Sequence, residues 1–438
     1  MSPGRMTPAQ QVARGRPERA GCPVGNVIAQ PPRLGLYVHF PWCVKKCPYC
    51  DFNSHPLHGD LPENAYVRAV ISEFHARAGE WVFDGALQFD SLFFGGGTPS
   101  LFSARALESL IDSFRPCLRP GAEITMEANP GAAERDDLAA CRAAGINRLS
   151  VGAQSFSPQH LSRLGRIHGP DETLSCIEAA RRGGFDNINL DIMYALPGQS
   201  PEEAVADLEA AVACSPDHLS WYQLTIEPRT EFARRPPRNL PGEESIAETE
   251  GEGRALLDRA GFARYEISAY AQPGAACLHN LVYWSFGDYV GLGAGAHGKQ
   301  GPPSTGLNRP SQYPRRDLAA STEKPRPVAI APPVSTDTHP HTVRTRNPRQ
   351  PRLYLNDPCR TETVRVDPAE VPGEFMMNAL RLVDGVERSL FETRTGLPWS
   401  TVEPTWEKTT RLGLTESDRI APTPLGLEHL DTLVQYFL

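Results

Sequence analysis

The chain has 438 residues, with 44 Lys and Arg against 52 Asp and Glu, a formal charge of −8. That length allows two or three domains, and 40% hydrophobic with 22% charged residues is ordinary globular composition. The acidic balance argues against a chain held on nucleic acid by bulk charge, and no apolar run of about 18 residues is present to form a transmembrane helix.

Residues 1–33 carry Arg5, Arg14, Arg16, Arg19 and Arg33 against Glu18 alone, with six prolines. Those prolines would break the amphipathic helix of a mitochondrial presequence, so a disordered tail is expected. From Leu34 to about Tyr270, short apolar runs alternate with helical patterns. Strands are predicted at Leu34–Phe40, Phe89–Phe94, Glu123–Glu127, Arg148–Val151, Asn187–Met193 and Leu219–Leu224, with amphipathic helices such as Ala65–Ala78, Arg105–Phe114 and Glu172–Arg182. Ser200, Pro201 and Glu203 spell a capping box with proline at the first helical position, and Gly183 and Gly184 end the preceding helix. Such alternation implies parallel β/α units, either an open doubly wound sheet or a full or partial barrel. In both, ligands gather at the carboxyl ends of the strands.

Residues 301–372 hold 14 of the 42 prolines and almost no apolar period, so a largely disordered insertion or linker, bounded at 301–366, is expected. Asp337, His339 and His341 within it read as polar linker rather than a metal site. Beyond it, 367–438 reads as a helical unit with two extended pieces, Leu412–Thr415 and Arg419–Pro422, and a closing helix over Leu425–Phe437. That order suggests a winged-helix-like shape packed on the first domain.

Seven of the ten cysteines stand alone and read as buried thiols in a reducing compartment, which points to the cytoplasm. The other three, Cys43, Cys47 and Cys50, crowd into one loop after the first strand. Structural zinc wants a fourth ligand, which His39 or His55 could supply. A [4Fe–4S] cluster with three cysteines keeps one iron open to a small molecule. Spacing alone leaves both readings standing. Other polar residues crowd the strand exits: the loop Gly95-Gly96-Gly97-Thr98, then Glu127, Gln154, Asp191, and Arg166 in a short helix. Glycines there allow close backbone approach and free N–H groups.

CxxxCxxC after a first strand, followed by GGGTP, resembles the radical S-adenosylmethionine superfamily. The segments YVHFPWCVKKCPYCDFNSH, EANPG, SVGAQSF, LGRIH, LDIMYALPGQ, HNLVYW and EFMMNALRL are similar to its branch of oxygen-independent coproporphyrinogen III oxidases and HemW-type heme chaperones. The resemblance covers about residues 34–300 and 344–438. It implies a partial TIM-type (β/α) barrel over 34–300 and a C-terminal domain of the oxidase type over 367–438. It implies a [4Fe–4S] cluster on Cys43, Cys47 and Cys50, and S-adenosylmethionine near Tyr37, Tyr49, Gly96, Gly97, Thr98, Glu127, Gln154, Arg166 and Asp191. The decarboxylating oxidases carry a further cysteine where Phe52 stands here, whereas the chaperone-like group carries HNxxYW, matched by His279, Asn280, Tyr283 and Trp284. His279 is then expected to be an axial heme ligand, with the aromatics against the porphyrin. Cys277 is a second candidate ligand, with a buried thiol preferred. The implied function is a heme chaperone that passes heme to a haemoprotein acceptor and needs a reductant for its cluster. Its rival is oxidative decarboxylation of coproporphyrinogen III.

Overall fold

The computed structural model describes residues 34–78, 87–131, 138–302 and 341–438. The N-terminal tail, Asp337 and His339 lie outside the described residues. All six expected strands form, most with a residue or more added: β1 Leu34–Phe40, β2 Phe89–Gly96, β3 Leu118–Ala128, β4 Arg148–Gln154, β5 Ile188–Tyr194 and β6 His218–Gln223. Between them run α1 Glu63–Arg77, α2 Ala104–Phe114, α3 Leu138–Ala144, α4 Pro158–Arg163, α5 Pro170–Arg182 and α6 Pro201–Ala213. The capping box at α6 is made as expected: Ser200 N donates to Glu203 Oε2 at 2.9 Å, and Glu203 N to Ser200 Oγ at 3.3 Å. Such a cap contributes about 1 kcal/mol.

Six short strands and a further helix complete the sheet's flanks: β7 Ala263–Glu266, β8 Ala269–Ala271, α7 Leu278–Trp284, β9 Asp288–Leu292, β10 His297–Gln300, β11 Val343–Arg346 and β12 Glu362–Arg365. The order across the sheet is β12-β11-β10-β9-β1-β2-β3-β4-β5-β6-β8-β7. From β9 to β6 every neighbouring pair is parallel, and the flanking strands run antiparallel. The edge strands β12 and β7 do not pair with each other, so the sheet stays open.

The two faces of the parallel strands differ in chemistry. Leu36, Val38, Phe40, Leu92, Phe94, Ile124, Met126, Leu149, Val151, Leu190 and Leu219 alternate onto one face and join the helices in a continuous apolar core. Tyr37, His39, Glu127, Ser150, Asn189, Asp191, His218 and Ser220 fall on the other, where Ser150, Asn189, Asp191, His218 and Ser220 hydrogen-bond across strands and Tyr37 bonds His39 within β1. A doubly wound sheet carries apolar residues on both faces. One helix-covered face and one polar face instead make a partial barrel lining a cleft.

A second core joins Leu281 and Phe286 to Phe375, Met376, Phe391, Trp406, Ile420 and Leu433, so the C-terminal unit packs on the barrel through α7. Its helices include α8 Val371–Ala379, then Ser389–Thr395, ended by Gly396 at φ +70°, and Glu403–Arg411. The expected extended pieces meet only in single pairs, Thr415 with Pro422 and Val386 with Ile420. The closing helix breaks at His429 into Pro424–Glu428 and Leu430–Gln435.

One expectation needs correction. Residues 341–366, read as linker, fold into the antiparallel pair β11 and β12 and a short helix, Pro351–Asn356. These strands, VRTR and ETVR, are polar and largely exposed, so no apolar period marks them. Ladder hydrogen bonds and the two-pronged Arg346–Glu362 pair, at 2.7 and 2.6 Å, hold them instead. Gln300 pairs with Val343, and Gly301 N donates to Asp288 Oδ1 at 2.8 Å, where β9 begins beside Leu34. The stretch between those strands therefore leaves and returns at the end of the sheet opposite the cysteine loop. No described helix is long and apolar enough to cross a membrane.

Candidate functional site

The cysteine loop leaves the carboxyl end of β1 and closes on itself. Trp42 and Cys43 pair with His55 and Pro56, His55 N donates to Pro41 O at 2.7 Å, and Leu57 N to Cys43 O at 2.8 Å. Within it, Cys50 N donates to Cys47 O at 3.2 Å, and Lys46 Nζ donates to Phe52 O and Ser54 O at 2.9 and 3.2 Å. The three thiols are half-buried and unbridged. Burial raises the Cys43 and Cys50 thiols above their ordinary range, so each must shed a proton on ligation. Among the described residues no three His, Cys, Asp or Glu side chains converge on one ion.

Of the two histidines weighed as a fourth zinc ligand, His39 has both ring nitrogens engaged and His55 one. His39 hydrogen-bonds Tyr37 Oη through Nδ1 at 2.9 Å and Asn53 O through Nε2 at 2.9 Å, and burial lowers its pKa to about 4. His55 Nε2 lies 3.3 Å from Arg349 O.

The glycine loop serves the chain before it serves a ligand. Gly97 N donates to Phe40 O at 2.6 Å, and a Cβ on Gly97 would lie 2.5 Å from Trp42 O. Gly96 sits at φ +110°, with the ring of His39 occupying the space a Cβ would fill. The close backbone approach that these glycines allow is thus to β1 and the root of the cysteine loop. Gly96 N donates to Glu127 Oε2 at 2.9 Å. Burial pushes Glu127 up to about 7, with the Gly96 amide pulling down and Asp191 adding to the rise. Asp191 is also raised by burial, against hydrogen bonds from Asn189 at 2.8 Å and Ser150 at 3.1 Å.

Arg166 follows α4 rather than lying in it. Its Nη2 donates to Asn129 Oδ1 at 2.7 Å and Gly152 O at 2.8 Å, while Nη1 lies 3.7 Å from Cys47 Sγ. Asn129 in turn donates to Thr98 Oγ1 at 2.9 Å. Asn129 thus joins the glycine loop to the cluster side and was not singled out from sequence, although it lies in the EANPG segment. Gln154, at φ +68°, accepts from Tyr222 Oη at 2.8 Å. Tyr49 packs against Phe232 at 6.4 Å. Of the expected set, Gly96, Glu127 and Gln154 stand at strand ends with Gly97 and Thr98 just beyond, Tyr37 and Asp191 lie within β1 and β5, Tyr49 lies in the cysteine loop and Arg166 follows α4.

The HNxxYW helix, α7, is divided between the two cores. His279 is 3% exposed, stacked on Phe93 at 4.8 Å, with Nδ1 bonded to Ser91 Oγ at 2.8 Å. Its Nε2 is buried and has no protein partner, and burial lowers its pKa to about 3. Asn280 donates to Tyr265 Oη at 3.2 Å, the start of a chain through His218 and Asn189 to Asp191. Tyr283 packs on Tyr289 at 4.4 Å, and the Arg381 guanidinium lies 4.3 Å above the Trp284 ring. The four residues thus form no single open porphyrin face. Cys277 is a buried thiol 3.4 Å from Glu123 Oε1, pushed up to about 12 by burial. His297, left unassigned from sequence as part of a strand-end turn, opens β10.

Two family models match the chain: the radical SAM superfamily over residues 37–211 and the HemN C-terminal domain over 366–429. The heme chaperone HemW of Escherichia coli is 40% identical over 411 residues, covering 93% of this chain and 98% of that one. HemW of Haemophilus influenzae is 40% identical over 377 residues, covering 85% and 88%. Among solved structures, coproporphyrinogen III oxidase (HemN) from Escherichia coli matches with a TM-score of 0.69 at 20% identity, over 94% of this chain and 91% of that one. A [4Fe–4S] cluster and S-adenosylmethionine are the cofactors that superfamily implies. The chain belongs to the radical S-adenosylmethionine superfamily and, within it, to the heme chaperone HemW family.

Proposed function

We propose that this protein binds heme and passes it to a haemoprotein acceptor, with a [4Fe–4S] cluster on Cys43, Cys47 and Cys50 and S-adenosylmethionine beside it. The donor set fits both groups. Three thiols share one closed loop, His39 has both ring nitrogens engaged within the chain, and Arg166 and Thr98 are of types that suit a carboxylate and an ammonium. When bound, the cluster supplies one-electron chemistry at its open iron, which belongs to the cofactor. The chain's own part is placement. Arg166, fixed by Asn129 and Gly152, is held beside Cys47, and Glu127 and Asp191 offer carboxylates for ribose hydroxyls.

One observation carries the heme reading: the Nε2 of His279 is buried without a protein partner. With its pKa lowered to about 3, that imidazole stays neutral, and its orphan nitrogen suits a metal or a hydrogen-bonding ligand. Unbridged thiols and the absence of a membrane-crossing helix among the described residues fit action in the reducing cytoplasm.

Anaerobic titration with hemin tests the reading. Wild-type protein should bind heme and yield little or no protoporphyrinogen IX from coproporphyrinogen III. His279→Ala should weaken heme binding and alter its Soret band, because a lost axial ligand changes the iron directly. Multiple-turnover decarboxylation, with heme binding untouched in His279→Ala, would transfer the assignment to the oxidase.

A further inference from the structure

The polar face of the partial barrel continues past the cleft toward α7. Asn189 and Asp191 stand two residues apart on β5, so their side chains share a face. The parallel register sets His218 of β6 opposite Asn189 and Ser220 opposite Asp191. His218 Nδ1 lies 2.6 Å from Asn189 Oδ1, Tyr265 Oη of β7 lies 2.9 Å from His218 Nε2, and Asn280 Nδ2 of α7 lies 3.2 Å from Tyr265 Oη. An unbroken line of side chains thus joins the cleft to the HNxxYW motif.

The donors in this line all run one way. A carboxylate accepts, so Asn189 turns its nitrogen to Asp191 Oδ1, at 2.8 Å, and its oxygen toward β6. An amide oxygen only accepts, so the His218 proton sits on Nδ1 and leaves Nε2 as an acceptor. Burial, with the Arg148 guanidinium nearby, lowers the pKa of His218 well below its usual value, and the imidazole stays neutral. Tyr265 must then donate to Nε2, and burial raises its phenol so that the proton remains on oxygen. Asn280 completes the line by donating to that oxygen. Aligned bonds polarise one another, and here they all point at the Asp191 carboxylate. Asn189 is held from both ends, since its oxygen also accepts from Ser220 at 3.2 Å and its nitrogen donates to Ser150 at 2.7 Å. Packing alone does not call for such a line, because apolar groups of the same shape would fill the space at little cost to stability.

We propose that Asn280, Tyr265 and His218 are positioning residues for S-adenosylmethionine, their relay fixing the Asp191 carboxylate for the ribose hydroxyls. The inference rests on the S-adenosylmethionine reading above, and it gives Asn280 a task apart from any contact with heme. The relay acts through hydrogen bonds alone and transfers no proton or electron.

Reconstituted protein of known iron content is dialysed anaerobically against radiolabelled S-adenosylmethionine, and separately titrated with hemin. Tyr265→Phe keeps the ring, and Asn280→Ala trims a half-buried side chain. Each should bind S-adenosylmethionine about three- to tenfold more weakly at unchanged iron content. A double-mutant cycle supplies the readout that a packing role would not move: in an Asp191→Asn background, Tyr265→Phe should weaken binding by less than about twofold further. The same full loss in that background, iron lost together with affinity, unchanged affinity in either single variant, or a loss in Asn280→Ala confined to hemin overturns the relay. A fully loaded cluster that takes up no S-adenosylmethionine in wild type, or equal affinity in Asp191→Asn, sinks the placement of the ligand beside Asp191 and the relay with it.

Discussion

Gly97 leaves no room for a methyl group, because its backbone lies between the carbonyl oxygens of Phe40 and Trp42. Gly97→Ala must push the glycine loop away from the root of the cysteine loop, at a cost of about 1–3 kcal/mol. The measurable result should be loss of most reconstituted iron from a protein whose helical circular dichroism is retained. The neighbouring carboxylate gives a pH signature. Glu127 is raised in the folded chain from 4.5 to about 7 by burial. Between those values the folded state keeps a proton that the unfolded state has released, so stability falls as pH rises through that window and stays lower above it. Thermal unfolding of metal-free Glu127→Gln should show a shallower fall between pH 5 and pH 7 than wild type, roughly in the window set by that shift. An unchanged slope would mean that Glu127 titrates normally.

At the scale of elements, legibility followed the source of stability. The parallel strands β1 to β6 owe theirs to apolar alternation, and their positions could be read from sequence within a few residues. Strands β11 and β12 owe theirs to ladder hydrogen bonds and the Arg346–Glu362 pair, which leave no period to read. The same division runs through the site. Cys43, Cys47, Cys50 and the glycine loop are local patterns. Asn129 matters because Thr98 and Arg166 meet it, and His39 because Asn53 does, and such partners become visible only when distant segments close. The pairing of Gln300 with Val343 makes an element-level prediction. Replacing residues 303–340 with a short turn should leave β10 and β11 joined, and the cluster, at the other end of the sheet, fully loaded. Insoluble protein or lost iron would show that the replaced stretch is needed for packing.

Across the whole molecule, one buried carboxylate ties three remote stretches together. Glu73 accepts from Asn347 Nδ2 at 2.7 Å, Tyr354 Oη at 2.7 Å and Gly293 N at 3.0 Å, and pairs with Arg77 at 2.5 Å. Glu73→Ala strands those donors in the interior and should cost about 3–5 kcal/mol, read as a lower denaturant midpoint. Tyr354→Phe removes one donor only and should cost less, about 1 kcal/mol. A midpoint shift of equal size in both would argue that the carboxylate is not the hub.

The brace on the far side of the cysteine loop has a consequence in time. Asn53 donates to Ala294 O at 3.1 Å and Arg349 O at 2.9 Å, partners 241 and 296 residues further along the chain. At ~5–20 residues per second, a ribosome that has just made Asn53 needs about 15–60 s to supply Arg349. Throughout that interval the nascent thiols have no finished frame to hold them. Iron–sulfur loading in the cell should therefore follow translation rather than accompany it, and a chain arrested before Arg349 should emerge without its metal.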